Sequence, residues 1–337
     1  MSRAARLLVA ALRDPGSVAG LGAADWTALL TAARAERLIG SLAHRIDMRA
    51  VPAAVAAILA DARIGAGQDR RAALWEAEMA RRALAPLGFP LVLLKGTAFA
   101  AAGLDAGQGR AIGDLDILVP RAALDEAEQA LRAAGWEPVK EDAYDDAYYR
   151  RWMHELPPLI HRERDRIIDV HHTILPPTAR PTPDAAGLIA DAVPLANGLF
   201  VLSPADMIVH AAAHLFADGD MAGGLRNLWD IDRLVREHDG PAFRALLAER
   251  AVRHQLRGTV ARALRLSRDL YGTPIDPAMA GRAPPGDALY RRRLHARDGW
   301  GRQPYAFTRF GFYIRSHWLR MPPLMLARHL WTKARRG

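Results

Sequence analysis

The chain has 337 residues, of which half are hydrophobic and a quarter are charged, a composition that can fill a sizeable core and excludes global disorder. It contains no cysteine, which excludes disulfide frameworks, thiolate zinc sites and thiol catalysis. The net charge of +9 is uneven: residues 291–337 carry twelve Lys and Arg against one acid, or +11, and the rest of the chain sums to −2.

The first part of the chain, residues 1–82, is predicted to be an N-terminal helical region. Apolar residues recur there at helical spacing, for example at Trp26, Leu29 and Leu30. Charged residues interrupt the apolar run at residues 7–12 before it reaches the length of a signal-peptide core, and no later run reaches the roughly 20 residues of a membrane span. We therefore expect a soluble, cytoplasmic protein.

A strand-and-helix pattern follows this region. Four apolar residues at 91–94 predict a buried strand, and a glycine turn leads to a short helix at 97–102. Residues 116–119 are a second predicted strand, and residues 122–134 an amphipathic helix. Strands alternating with helices in this way are typical of proteins that combine both around one sheet.

The second half of the chain begins with a polar, Tyr-rich segment. A predicted hairpin follows, with strands at 159–161 and 167–171 joined by a turn at 162–165. From about residue 204 the pattern is helical, with predicted helices at 206–215, 225–235, 241–250 and 255–271. We predict four regions: helical residues 1–82, a core at 83–195, a C-terminal helical domain at 196–290 and a basic aromatic tail at 291–337.

The glycine turn contains the first candidate site residues. Gly96 would let backbone N–H groups approach a phosphate, while Thr97 offers a hydroxyl donor and Lys95 a cation. The glycine spacing of a P-loop is missing, so this is not a Walker site. Taken alone, an ordinary strand-to-helix turn is the better interpretation, and Lys95 could equally pair with a neighbouring acid.

Three carboxylates in or beside apolar strands are the stronger signal. Asp114 and Asp116 would share a strand face, roughly 7 Å apart along the chain, and Asp169 lies in the second strand of the hairpin. Unpaired acids are costly there, and a metal would explain them. Two bridging carboxylates suit a site with two ions about 3.5–4 Å apart. Asp169 could complete the cage and accept the proton of an attacking hydroxyl, and Arg110 could orient a triphosphate.

These residues resemble a known group, the bacterial uncharacterised nucleotidyltransferases of the DNA polymerase β-type superfamily. The resemblance covers roughly residues 20–270. The similar segments are Leu-Leu-Lys-Gly-Thr at 93–97, Arg-Ala-Ile-Gly-Asp-Leu-Asp-Ile-Leu-Val at 110–119, Ile-Asp-Val-His at 168–171, and the helical residues 210–214 and 225–231.

The resemblance implies an α+β fold, with a small mixed β-sheet core flanked by N-terminal and C-terminal helical regions. It implies that Asp114, Asp116 and Asp169 are the metal-binding and catalytic acids, with two Mg²⁺ ions, and that Gly96 and Thr97 hold the nucleotide phosphates. Thr97 replaces the Ser that is usual in the wider superfamily, and the loop between Gly96 and Asp114 is longer than in minimal members.

Other polar residues have simpler interpretations. His210 and His214 share a helix face without the Glu of a zinc-protease helix, so packing is favoured over metal binding. Packing is likewise favoured for His171 over a His/Asp metal hydrolase. Arg226 and Asp230, four residues apart, are expected to pair on the helix surface. In the resembled family this region packs over the nucleotide site, so contact with the substrate is the alternative.

The sequence thus predicts a Mg²⁺-dependent nucleotidyltransferase that uses an NTP such as ATP. Its acceptor is a small molecule, peptide, protein or RNA. The tail contains eight aromatic residues among its basic ones, so it could dock on the globule, or bind a membrane surface, a nucleic acid or an acidic protein. The alternative hypothesis is a non-catalytic nucleotide- or phosphate-binding module that acts through this tail.

Overall fold

The structure, a computed structural model, describes residues 2–217, 219–320 and 331. Its first part is helical. The helices are α1 (Arg3–Arg13), α2 (Ala23–Ala35), α3 (Ile39–Arg45) and α4 (Ala53–Leu84). The hydroxyl of Ser2 caps α1 by accepting the backbone N–H of Ala5. Helix α4 continues through two glycines, so it is much longer than periodicity alone indicates.

A seven-stranded mixed sheet forms the centre of the molecule. Its strands are β1 (Val92–Leu93), β2 (Leu115–Leu118), β3 (Trp136–Pro138), β4 (Leu159–His161), β5 (Ile167–His171), β6 (Val193–Pro194) and β7 (Phe200–Val201). Their order across the sheet is β3-β4-β5-β2-β1-β7-β6. β2 runs antiparallel to β1 and parallel to β5, whereas β4 and β5 form an antiparallel hairpin.

Helices surround this sheet. Those within the core are α5 (Lys95–Ala101), α6 (Leu124–Ala133), α7 (Ala143–Trp152) and α8 (Ala185–Ala190). Those that follow are α9 (Pro204–Ala217), α10 (Gly224–His238), α11 (Pro241–Arg253), α12 (Arg257–Tyr271), α13 (Pro277–Ala280), α14 (Asp287–Leu294) and α15 (Ala306–Arg320). α10 packs against both α9 and α12, while α4 packs against α5 and α6.

The predicted α+β fold is confirmed, as are the predicted strands at β1 and β2, the hairpin and the helices α9 to α12. The Tyr-rich segment, for which no element was predicted, forms helix α7. Strands β3, β6 and β7 are additional; they have two or three residues each, too few for a pattern to indicate them.

The C-terminal region is seen in part. Within the described residues, α15 packs against α9, and Phe312 is buried against Tyr290. Phe307 on the same helix is 94% exposed. The rest of the predicted tail, residues 321–330 and 332–337, lies outside the described residues. None of the helices searched in the described chain combines the length and the apolar character needed to cross a bilayer.

Candidate active site

The parallel pairing of β2 with β5 brings the predicted acids together. Its register sets Asp116 beside Asp169, and Asp114 lies in the bend that enters β2. One carboxylate oxygen of each residue lies within 4.8 Å of those of the other two. Asp114 is exposed, Asp169 is half-buried and Asp116 is buried. The structure therefore groups all three acids at one point.

Asp116 is held by two basic side chains. Lys95 Nζ donates to its Oδ1 at 2.6 Å, and His171 Nε2 donates to the same atom at 3.0 Å. Burial alone would raise the pKa of Asp116, but Lys95 and His171 outweigh it and hold the pKa far below its usual range. Within the described residues no hydrogen bond reaches Oδ2 of Asp116, so one oxygen of an ionised carboxylate remains available.

Lys95 reaches Asp116 from a strained turn. Its φ of +49° lies in the left-handed region, at the junction between β1 and α5. Burial opposes its charge, but the carboxylate of Asp116 raises the pKa of Lys95 well above its usual value. The ion pair that was one alternative for Lys95 is present, so its Nζ is already engaged.

Asp169 is a less favourable place for a negative charge than Asp116. Burial first, and then the charges of Asp116 and Glu155, raise the pKa of Asp169 to about 7. No hydrogen bond from the described residues reaches its carboxylate. Three converging carboxylates with oxygens to spare form the donor set that hard divalent cations prefer, so these residues fit a metal.

These acids form one wall of a cavity of about 420 Å³, a size common for small-molecule sites. Basic residues from distant parts of the chain also line it. They are Arg37, Lys95, Arg110, Arg226 and Arg320. The cavity is therefore lined by both acidic and basic residues, as a site for a metal-bound phosphate ester would be.

Arg110 lines the cavity but is engaged elsewhere. Its Nε and Nη2 donate to the carboxylate of Asp230 at 3.0–3.1 Å, and both side chains are buried. The expected surface pair of Arg226 with Asp230 is thus wrong, because Asp230 faces the core and takes Arg110 as its partner. Gly96 makes room for this pair, since a Cβ there would lie 3.0 Å from Arg110 Cζ and closer still to Nη1.

Thr97 does not reach the cavity. Its side chain is 1% exposed, and its Oγ1 is buried with no hydrogen-bond partner among the described residues. Of the residues predicted to bind phosphate, Lys95, Gly96 and Arg110 line the cavity, whereas Thr97 does not. Its role toward a phosphate stays a prediction.

Arg226 is a cavity residue that the sequence analysis had placed on a helix surface. Burial first, and then the charge of Arg110, lower its pKa to about 10. Its Nε is buried without a partner, and in the part of the chain that the structure describes no carboxylate pairs with it. Arg37, on the turn after α2, also lines the cavity with no ion pair among the described residues. Both guanidinium groups are available to an anion.

A second polar cluster adjoins the acids and consists of His154, Glu155 and His171. His171 is buried, and burial opposes its charge, but Glu155 and Asp116 together raise its pKa. Burial, with the charge of His171, lowers the pKa of His154 well below its usual value. Sequence reasoning missed His154 and Glu155. The signal was the adjacent His-Glu pair, together with the two-residue spacing that sets Asp169 and His171 on one face of β5.

Comparison with known proteins agrees with this geometry. No curated protein matches the chain. The model of a family described as "Uncharacterised nucleotidyltransferase" matches residues 22–272, which include every element that contributes an acid to the cavity. That match spans most of the chain, and the cavity has the acidic and basic residues described above. The protein therefore belongs to the uncharacterised nucleotidyltransferase family.

Proposed function

We propose that this protein is a Mg²⁺-dependent nucleotidyltransferase of the polymerase β type. It would move a nucleoside monophosphate from an NTP to an acceptor hydroxyl or phosphate group, with release of pyrophosphate. The observation that carries the proposal is the convergence of Asp114, Asp116 and Asp169 in a cavity that is also lined by Arg37 and Arg226, which have no ion pair among the described residues.

The three carboxylates would hold the metal. When bound, Mg²⁺ neutralises charge on the triphosphate and makes the α-phosphorus more electrophilic. The oxygens available for it are those of Asp114 and Asp169 and the Oδ2 of Asp116. Lys95 keeps Asp116 ionised, which preserves that carboxylate as a ligand.

The basic residues of the cavity would bind the phosphates. Arg226 and Arg37 have no ion pair among the described residues, whereas Lys95 and Arg110 are each bound to a carboxylate. A guanidinium can grip a phosphate through two parallel hydrogen bonds. We therefore assign the β- and γ-phosphates to Arg226 and Arg37. Arg226 should bind its phosphate more strongly, because burial has already desolvated its guanidinium group.

The reaction itself needs one proton acceptor. As the acceptor oxygen bonds to the α-phosphorus, the bond from that phosphorus to the β-phosphate oxygen breaks, and pyrophosphate leaves. Asp169 lies on the cavity wall beside the other two acids, where its carboxylate would receive the acceptor's proton.

Asp114→Asn is the sharpest test because Asp114 is exposed and makes no described ion pair, so its loss should leave the fold intact. The wild type, incubated with α-labelled NTPs, Mg²⁺ and cell extract, should transfer label to an acceptor. Asp114→Asn should transfer at least about 100-fold less, since a lost metal ligand removes several kcal/mol of transition-state stabilisation. Its melting temperature should stay unchanged.

Asp125→Asn, an exposed acid on α6 away from the cavity, is the matched control and should transfer label normally. Wild-type transfer by Asp114→Asn would overturn the proposal. If wild type binds Mg²⁺ and NTP in calorimetry but labels no acceptor, the non-catalytic binding module becomes the better hypothesis.

A further inference from the structure

We propose that His154, Glu155 and His171 form a second metal site, suited to a divalent transition metal such as Zn²⁺, directly beside the three aspartates. This site would hold its metal whether or not the chain transfers nucleotides, so its test is independent of the proposed function.

The spacing of the donor atoms fits such an ion. His171 Nδ1 lies 3.3 Å from Glu155 Oε2, and His154 Nε2 lies 3.6 Å from the same oxygen. One donor atom from each of the three residues lies within 4.8 Å of the others. A tetrahedral Zn²⁺ with bonds of about 2.0–2.2 Å places its ligands roughly 3.3–3.6 Å apart, so the two measured separations match the edges of that tetrahedron.

The hydrogen bonding of His171 leaves one ring nitrogen facing a carboxylate. Its Nε2 donates to Asp116, so Nδ1 is the ring nitrogen that points toward Glu155. This Nδ1 is buried with no hydrogen-bond partner among the described residues, and Glu155 Oε2 lies 3.3 Å away. A metal ion between these two atoms would bind both of them.

The contact with Asp116 is also typical of metal-binding histidines. Such a histidine commonly donates its second ring N–H to a carboxylate, which sets the tautomer and the ring orientation. His171 has this arrangement, with Asp116 on one nitrogen and the open position on the other. His154 is available as well, since no hydrogen bond from the described residues reaches either of its ring nitrogens.

The backbone holds the two sides of the site in place. Residues 154–156 run antiparallel to the end of β5, where Glu155 forms a β-bridge with His171. Leu156 N donates to Val170 O, and His172 N donates to His154 O, each at 2.9 Å. The ligands therefore project from two hydrogen-bonded backbone segments, so little ordering is needed on binding.

The chemistry of the donors separates this site from the aspartate site. Two imidazoles and one carboxylate suit Zn²⁺, Co²⁺ or Mn²⁺, whereas an all-carboxylate set suits Mg²⁺. A cation on His171 would also fix the ring that orients Asp116, so the second site would support the first without contacting a substrate.

A titration of the full chain with Co²⁺ tests the site, because Co²⁺ in a tetrahedral site absorbs visible light far more strongly than the free aqua ion. The protein is first stripped with a chelator and kept in excess Mg²⁺. We expect one Co²⁺ per chain, at least about tenfold weaker binding in both His154→Gln and Glu155→Gln, and displacement by Zn²⁺. Zn²⁺ should also raise the melting temperature of the wild type but not of these variants.

Two variants control for other binding modes. His44→Gln changes a histidine outside the cluster, and Asp114→Asn removes a ligand of the aspartate site alone; both should bind Co²⁺ as the wild type does. Absence of Co²⁺ binding by the wild type, or wild-type affinity in His154→Gln, would overturn the proposal. So would a loss confined to Asp114→Asn, because the metal would then be on the aspartates.

Discussion

The buried ion pair between Arg110 and Asp230 forms part of the cavity wall, and the variant Asp230→Asn tests how much it stabilises the fold. The change keeps the shape of the side chain but leaves the guanidinium without its counter-ion. The two side chains are only 8% and 4% exposed, and three N–O distances are 3.0–3.1 Å. Breaking a buried pair by removing one partner costs about 3–5 kcal/mol. At about 1.4 °C per kcal/mol for a chain of 337 residues, the melting temperature should fall by roughly 4–7 °C.

A double-mutant cycle in urea unfolding measures this cost directly. Its single variants are Arg110→Met and Asp230→Leu, each of which leaves one buried charge without its partner. The double variant Arg110→Met/Asp230→Leu replaces both charges with apolar groups and should recover most of the loss, since such replacements are often neutral. Asp269→Asn is the matched control, because Asp269 pairs with Arg291 where both side chains are partly exposed, and it should cost at most about 1 kcal/mol. If Asp230→Asn costs no more than this control, or if the two single changes are additive, the buried pair does not stabilise the wall.

Two further predictions concern stability. Gly96→Ala should lower the free energy of unfolding in urea by about 1–3 kcal/mol, because its Cβ would crowd Arg110. Gly113→Ala is the control and should cost far less, because a Cβ there meets nothing within 4 Å. Equal costs would contradict the packing role of Gly96. Burial, with the charge of Arg6, lowers the pKa of His295 to about 4. As the pH falls below about 6.5, His295 is protonated in the unfolded state before it is protonated in the folded state. The free energy of unfolding therefore decreases between pH 6.5 and pH 4, and the loss is about 2 kcal/mol at pH 5. His295→Gln should lose less stability than the wild type between pH 7.5 and pH 5, and an unchanged pH dependence would refute this.

The acidic half of the site was predictable because each acid interrupts or adjoins an apolar strand. Asp116 interrupts an otherwise apolar strand, Asp169 lies between Ile168 and Val170, and burial of an acid needs a local reason. Their convergence then follows from the parallel register of β2 and β5. Periodicity predicted both strands, although pattern alone does not tell which strands are neighbours.

The basic half was predictable only in part, at Lys95 and Arg110, because the rest depends on which distant residues meet. Asp230 is four residues from Arg226, so helix geometry favoured their pairing, but Arg110 arrives from a loop 120 residues earlier and takes the carboxylate. Arg226 is left without that partner and faces the cavity. Local spacing therefore identified the right residues and assigned them the wrong neighbours. Arg37 carried no local signal, since a single arginine after a helix is common.

The cavity's basic residues come from both ends of the described chain, with Arg37 in the N-terminal helices and Arg320 at the end of α15. The acids lie between them in sequence. A ribosome therefore releases Asp116 and Asp169 long before Arg320. During synthesis, the acids of the cavity are present before all of its basic residues. The order of synthesis itself leaves the basic lining of this cavity incomplete until the last described helix has packed against α9.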